Sequence, residues 1–427
     1  MSATAQAPAP EVLPEVHIVP PTPRLVKVMI GLGVFAIIVF GLFTTAGESV
    51  TFQLTLGDEA IALPDVTLPA KLSAIVFSII ALLAAVGALM AARKEKALWP
   101  YATAFGTFFI LGFLSWAVAG STINVVGLLQ GSLLLAVPLV FGSMSGILCE
   151  RAGVINIAIE GQLLTGAFVA AVVASLTQNA YLGLIAAPLG GLFIGLLLAV
   201  FAIKYFVDQV ILGVVLNVLA VGLTSFLYSR LLAPNQETWN SPPTFSPVPI
   251  PVLSDIPILG PILFNQNIVV YLMYVIVIVI NVALFRTKWG LRVRAVGEHP
   301  QAADTVGIKV NSVRFRNVML GGLVAGLGGA FFTVASVGAF GKEMTAGKGF
   351  IALAAVIFGR WKPLGALGAA LFFGFADNLQ SVLSIIGTPI PSEFMLMTPY
   401  LATLLAVAGL VGKVRAPAAD GIPYKKS

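Results

Sequence analysis

Charge is scarce in this sequence. Only 10% of its 427 residues are Asp, Glu, Lys or Arg, against 58% that are apolar. With a mean hydropathy of +1.00, too little polar surface is left to coat a water-soluble globule. Cysteine is almost absent as well, and the single Cys149 excludes an intramolecular disulfide. The two histidines, His17 and His299, lie too far apart to give metal-ligand spacing, so neither a metal nor a cofactor is expected. Enzyme signatures are also missing. The nearest approach to a phosphate-binding loop, Gly341 to Gly347-Lys348-Gly349, has the wrong spacing and lacks the hydroxyl residue after the lysine. There is no nucleophile elbow, zinc-protease helix or paired-carboxylate arrangement, so the chain is not expected to be an enzyme or to hydrolyse ATP itself.

Long apolar runs fill the space that charge leaves. They fall near 25–45, 71–92, 101–119, 124–148, 155–177, 181–206, 209–232, 268–285, 313–339, 349–359, 364–384 and 394–412. Runs of about 18 to 22 residues cross about 30 Å of hydrocarbon as helices, and because these runs do not alternate, a barrel is excluded. The expected fold is all-α, a polytopic integral membrane helical bundle of roughly twelve apolar segments facing membrane lipid. The run at 349–359 is short and bordered by Gly347, Gly349 and Gly359. It predicts a half-helix or broken helix lining a pathway.

A formal net charge of +6 does not point to nucleic acid, because most basic residues sit in short loops beside the spans, where they set topology. If the spans alternate, Arg24, Lys27, Arg93, Lys94, Lys96, Lys204, the block at 286–314, Arg360, Lys362, Lys413, Arg415, Lys425 and Lys426 share one side. That side is assigned to the cytoplasm, with both termini; Lys342 and Lys348 are exceptions facing outward. Segments 46–70 and 233–267 carry acidic residues but no Lys or Arg and are read as external. The first alternates over 50–56 and predicts a small hairpin. The second is rich in proline and predicts extended, non-helical chain. Residues 1–24 are expected to be disordered. The run at 25–46 reads as an uncleaved span, since about 20 residues exceed the 7–15 of a signal peptide's apolar region, although Thr44-Thr45-Ala46 offers the small residues of a cleavage site.

An ionised group near the bilayer centre costs on the order of 2.5–3.5 kcal/mol, so each polar residue in an apolar stretch needs a partner. In the stretch 150–162, Asn156 and Glu160 stand four apart and share a face if it is helical. They form a polar patch on a solute path, or Glu160 caps locally while Glu150 and Arg151 pair with each other. Asn217 is either part of that path or interhelical glue. Asp377 and Asn378 follow Phe372, Phe373 and Phe375, rings that could stack on a planar solute. These five, Asn156, Glu160, Asn217, Asp377 and Asn378, are the candidate pathway residues. Glycine pairs such as Gly191 and Gly195, or Gly322 and Gly326, predict close helix packing.

The block 287–308 gathers Lys288, Arg292, Arg294, Glu298 and Asp304 with small residues. It must lie in water, where soluble partners dock. Pro300, preceded by His299, can start a short helix and Gly307 can end it.

Three stretches, 150–161, 290–300 and 349–354, resemble permease subunits of bacterial ABC importers in the branched-chain amino acid and ribose group. More narrowly they look like the permeases of nucleoside importers that work with a binding lipoprotein of the basic membrane protein type. The likeness runs over 125–412 in order, through Gln209–Gly213 with Asn217, Phe358–Pro363 and Phe394–Tyr400. It implies a permease core at 121–412. Residues 1–120 lie outside the likeness and read as a tail at 1–24 and an N-terminal extension of about three spans at 25–120, and 413–427 reads as a cytoplasmic tail. The likeness further implies a passive pathway subunit in a bacterial plasma membrane, with a second permease subunit, an ABC ATPase subunit and an extracytoplasmic substrate-binding lipoprotein as partners and a nucleoside as solute. The block then corresponds to the family's ATPase-coupling region, with Gly290, Arg292, Arg294, Gly297, Glu298, Pro300, Ala302, Ala303 and Gly307 as its residues; His299 stands where the family often has asparagine. A secondary transporter driven by an ion gradient through Glu160 or Asp377 is the alternative.

Overall fold

The structure, a computed structural model, describes residues 23–57, 61–387, 394, 397 and 415–426. The expected tail at 1–24 and twelfth span at 394–412 lie almost wholly outside these residues. Among the described residues, ten helical segments are long and apolar enough to cross a membrane, as a polytopic helical bundle requires. The chain divides into two compact units, residues 1–48 with 69–119 and residues 49–68 with 120–427.

In the first unit, α1 (Arg24–Phe43), α2 (Ala70–Arg93) and α3 (Trp99–Ala117) pack together. An alanine stripe, Ala74, Ala81, Ala85 and Ala88, runs along α2 with no exposed surface, at the spacing of one helical face. Phe40 of α1 sits among the rings of Phe109, Phe113 and Trp116 at centroid distances of 5.6, 5.8 and 5.4 Å.

The second unit begins with β1 (Ser49–Gln53), β2 (Val66–Pro69) and β3 (Thr122–Asn124), in the order β2–β1–β3. Segment 46–70, expected to form a small hairpin, does pair β1 with β2, and β1 is also the middle strand, with Phe52 opposite Ile123 of β3 in parallel register. Then follow α4 (Val125–Glu150), α5 (Ile159–Thr177), α6 (Ala180–Ala199), α7 (Gln209–Leu227), α8 (Gln236–Trp239), α9 (Ile268–Arg286), α10 (Lys288–Glu298), α11 (Pro300–Thr305), α12 (Val310–Phe332), α13 (Lys348–Phe358) and α14 (Pro363–Ile386). Helical turns carry α6 on to Lys204 and α12 on to Val337.

Two expectations are corrected. The span placed at 155–177 starts only at Ile159, so Asn156 and Glu160 do not share a helical face. Residues 151–158 run as turns through Gly153 at φ +87°, and their backbone is bonded by side chains from α7. The segment 233–267 is not uniformly extended: the helical path from α7 continues through Pro234, near a helix start that tolerates it, to Trp239. Beyond the later prolines, β4 (Val248–Pro249) and β5 (Asn265–Gln266) pair antiparallel.

Glycine sets the core distance. A Cβ on Gly191 of α6 would lie 2.2 Å from the Gly322 carbonyl oxygen of α12, one on Gly166 of α5 2.3 Å from that of Gly326, and one on Gly329 2.1 Å from that of Leu163. In lipid, helices associate through such close van der Waals packing, because the tails are as apolar as leucine. Leucine at Gly191 is therefore expected to abolish monodisperse, heat-stable protein in detergent. Leucine at Gly222, where a Cβ meets nothing within 4 Å, is expected to behave as wild type. A Gly191→Leu protein that melts at the wild-type temperature contradicts this packing.

Candidate functional site

The broken helix organises the polar interior. α13 has 11 residues, about 16 Å at 1.5 Å per residue, too short to cross a bilayer, and its N-terminus is left inside the fold. Glu160, in the first turn of α5 and 7% exposed, closes that end. Its Oε1 accepts from the Thr345 hydroxyl at 2.6 Å and the Gly347 N–H at 2.8 Å, and its Oε2 from the Gly349 N–H at 2.6 Å. A carboxylate thus meets the positive ends of two helices, α5 and α13, which compensates its burial. Gly347 has φ +79°, and a Cβ on Gly349 would lie 2.4 Å from the Glu160 nitrogen; both positions need glycine.

Asn217 of α7 holds the start of α5, accepting from the Gly161 N–H at 2.8 Å and donating to the Ile157 carbonyl at 2.9 Å. Gln209 Oε1 accepts from the Ile155 N–H at 2.7 Å. Asn156 is fully buried and donates to Ser145 and Gln162, both at 3.1 Å.

Asp377 of α14 pairs with Lys348, the first residue of α13. This is the one ion pair among the described residues, and its side chains keep 31% and 17% exposure. Four of the five candidate pathway residues thus surround the two helix starts. Asn378 turns elsewhere, donating to the Leu128 carbonyl of α4 at 2.7 Å. Phe372 and Phe373 do not flank Asp377 as a stacking platform; they pack on Phe358 at the far end of α13. Phe375, with Leu129, Leu133, Leu371 and Tyr274, lines an apolar cavity of ≈ 440 Å³.

Glu150 and Arg151 do not pair. Glu150 ends α4 facing inward and accepts from the Trp361 indole N–H at 2.5 Å. Arg151, one residue on, points away and donates to the Trp361 carbonyl at 2.9 Å. The turn carrying Trp361, where Arg360 and Trp361 have φ +56° and +52°, brings its indole and carbonyl to these two neighbours.

The polar block forms two helices, α10 and α11, hinged at His299. The short helix starts at Pro300 as expected, and Gly307 follows it at φ +86°. α10 was not anticipated; the Thr287 hydroxyl caps it by accepting from the Gly290 N–H at 3.1 Å. Of the nine residues named for this block, Gly290, Gly297, Pro300 and Ala303 are buried and Arg292, Ala302 and Gly307 exposed. A Cβ on Gly297 would lie 2.2 Å from the Arg151 carbonyl oxygen, so the block touches the 151–158 stretch. Arg294 and Arg151 stack on the Phe285 ring at 5.2 and 5.6 Å. Glu298 Oε2 accepts from the Ala418 N–H at 3.2 Å. Leu291 is 61% and Val306 76% exposed, and Lys288 and Arg292 of α10 are exposed as well.

Residues 415–426, within the segment expected as a cytoplasmic tail, are seated on the block and on α12. Ala419 N–H donates to the Gly297 carbonyl at 2.8 Å, and buried Arg314 donates to the Ile422 carbonyl at 2.7 Å. Burial pushes the pKa of Asp420 up to about 7, against the opposing pull of Arg314. The one advance signal for this seat was an arginine, Arg314, near the start of an apolar span.

Comparison with known proteins follows the same outline. The model of the branched-chain amino acid transport system permease component matches residues 128–408. The guanosine ABC transporter permease protein NupQ of Bacillus subtilis (strain 168) is 42% identical over 314 residues, 70% of this chain and 96% of that protein. The nucleoside ABC transporter permease protein NupC of Lactococcus lactis subsp. cremoris (strain MG1363) is 40% identical over 319 residues, 71% of this chain and 99% of that protein. A putative glucose ABC transporter permease protein, TsgC13 of Haloferax volcanii, is 35% identical over 255 residues, 60% and 77% respectively. No solved structure matches the chain.

Replacing Glu160 by glutamine tests the cap. The amide keeps one acceptor oxygen where three donors converge, which leaves a buried donor unpaired at a cost of about 1–3 kcal/mol. Glu160→Gln is expected to lower the thermal midpoint of purified protein, and an unchanged midpoint contradicts the assigned bonds.

Proposed function

The chain belongs to the family of branched-chain amino acid transport system permease components, and from that premise we propose that it is the pathway subunit of an ATP-driven nucleoside importer. The observation that carries the reading is the likeness to a guanosine and a nucleoside permease over 96% and 99% of their lengths. A second permease subunit completes the pathway, an ABC ATPase subunit supplies the energy, and an extracytoplasmic substrate-binding lipoprotein delivers the solute. The chain sits in a bacterial plasma membrane with both termini in the cytoplasm. The seating of residues 415–426 on α10 supports a common side for the C-terminal tail and the polar block.

In this reading the pathway runs along α13 and α14. Phe350, Leu364 and Phe372 are exposed there and face the second permease, while Lys348 and Asp377 offer a donor and an acceptor to the polar edges of a nucleoside. Glu160, Asn156 and Asn217 hold the broken helix in place. Leu291, Val306 and Arg292 on α10–α11 dock in the ATPase, and Gly290, Gly297, Pro300 and Ala303 let the block lie close against the spans. ATP-driven closure of the ATPase pair pushes on this block and alternates access between the two sides. Ion coupling through Glu160 or Asp377 is not favoured, because the first carries three hydrogen bonds and the second an ion pair.

The test is uptake of labelled guanosine by cells producing the chain with its partner subunits. Unlabelled adenosine and uridine are expected to compete, and free ribose and glucose are not. Competition by the free sugars alone would overturn the nucleoside assignment.

A further inference from the structure

The family match ends at residue 408, and the reading above gives the residues beyond it nothing to do. Yet 415–426 touch α10, α11, α12 and the stretch leading to Glu160. The Ala418 and Ala419 N–H groups bond to Glu298 and Gly297 at the end of α10. Tyr424 is buried in one apolar cluster with Val296 of α10, Ala303 of α11 and Val310 of α12. Arg314 of α12, 2% exposed, donates to the carbonyls of Ala419 and Ile422 at 3.4 and 2.7 Å. A Cβ on Gly421, which has φ +74°, would lie 2.7 Å from Ile155 in the stretch leading to Glu160.

Helices of 11 and 6 residues have no independent stability in water and depend on what covers their apolar face. Here part of that cover is the C-terminal segment. Without the segment the block keeps the close approach of Gly297 to the Arg151 carbonyl and the place of Val293 in the core. It loses the hydrogen bonds at the end of α10 and the Tyr424 side of its apolar cluster, which leaves it freer to tilt under a push on its exposed face. With the segment seated, the block, α12 and the 151–158 stretch share one packed, hydrogen-bonded junction.

We propose that residues 415–426 are a positioning strap that clamps the α10–α11 block to α12 and the 151–158 stretch, so that movement of the partner ATPase is passed to the spans. The strap rests on the reading of this block as the ATPase's docking site. It acts through the block and touches no solute.

The experiment reads solute imported per ATP hydrolysed in proteoliposomes holding the full complex with its binding protein. Three variants are compared with wild type: truncation after Ala416, Tyr424→Ala, and Tyr424→Phe, which keeps the apolar contact. Truncation and Tyr424→Ala are expected to leave the complex assembled and hydrolysing ATP while import per ATP falls roughly five-fold or more, the scale of coupling between distant sites. Tyr424→Phe is expected to keep the wild-type ratio. A wild-type ratio in the truncated complex would overturn the strap. So would loss of assembled complex in both truncation and Tyr424→Ala, which would make the segment a folding element. Failure of the wild-type complex to link hydrolysis to import would instead overturn the functional reading on which the strap rests.

Discussion

A buried carboxylate holding two helix ends together is the constraint on which the rest depends. A helix that stops inside a membrane protein exposes N–H groups that lipid cannot satisfy, each costing several kcal/mol. Here the helix is α13 and Glu160 answers it, from a first turn that is itself a helix start. Because the donors come from residues 345–349 and the acceptor from α5, the bonds tie two distant parts of the sequence. The surroundings then follow from satisfying the polar groups this arrangement brings inside. Asn217 and Gln209 bond the turns before α5, and Asp377 balances the lysine that opens α13.

The same constraint connects the interior to the polar block. The stretch from Glu150 to Glu160 meets Trp361 through Glu150 and Arg151, abuts Gly297 of α10 through the Arg151 carbonyl, and ends in the cap of α13. A displacement of α10 therefore meets backbone that runs into the cap of α13. Glycine makes this rigid, since Gly297 and Gly349 sit where a methyl group would collide with backbone. Packed interfaces of this kind move as units between alternative arrangements and do not deform continuously.

Much of this was legible in the sequence, because hydropathy records membrane burial directly. Eleven expected runs have helices in the structure, and the short one at 349–359 is a half-helix as its bordering glycines implied. The polar residues inside apolar stretches signalled a need for partners, and Glu160 and Asp377 both have them. Their partners were not legible. Glu160 finds donors about 185 residues away, a distance set by helix arrangement and not by local pattern. Glu150 and Arg151, adjacent and of opposite charge, invited pairing, yet successive side chains on a helix end point apart. The seat of residues 415–426 leaves little trace in the sequence, because on the segment's side its bonds are made by backbone groups, which leave no mark on residue type.

The central claim is that this chain is a gate with no drive of its own, opened by force applied at α10–α11. Solute accumulation in proteoliposomes tests it most directly, with the purified chain alone under an imposed proton or sodium gradient set beside the full ATPase complex supplied with ATP. The account predicts uphill accumulation only in the complex. Uphill accumulation by the chain alone would contradict it.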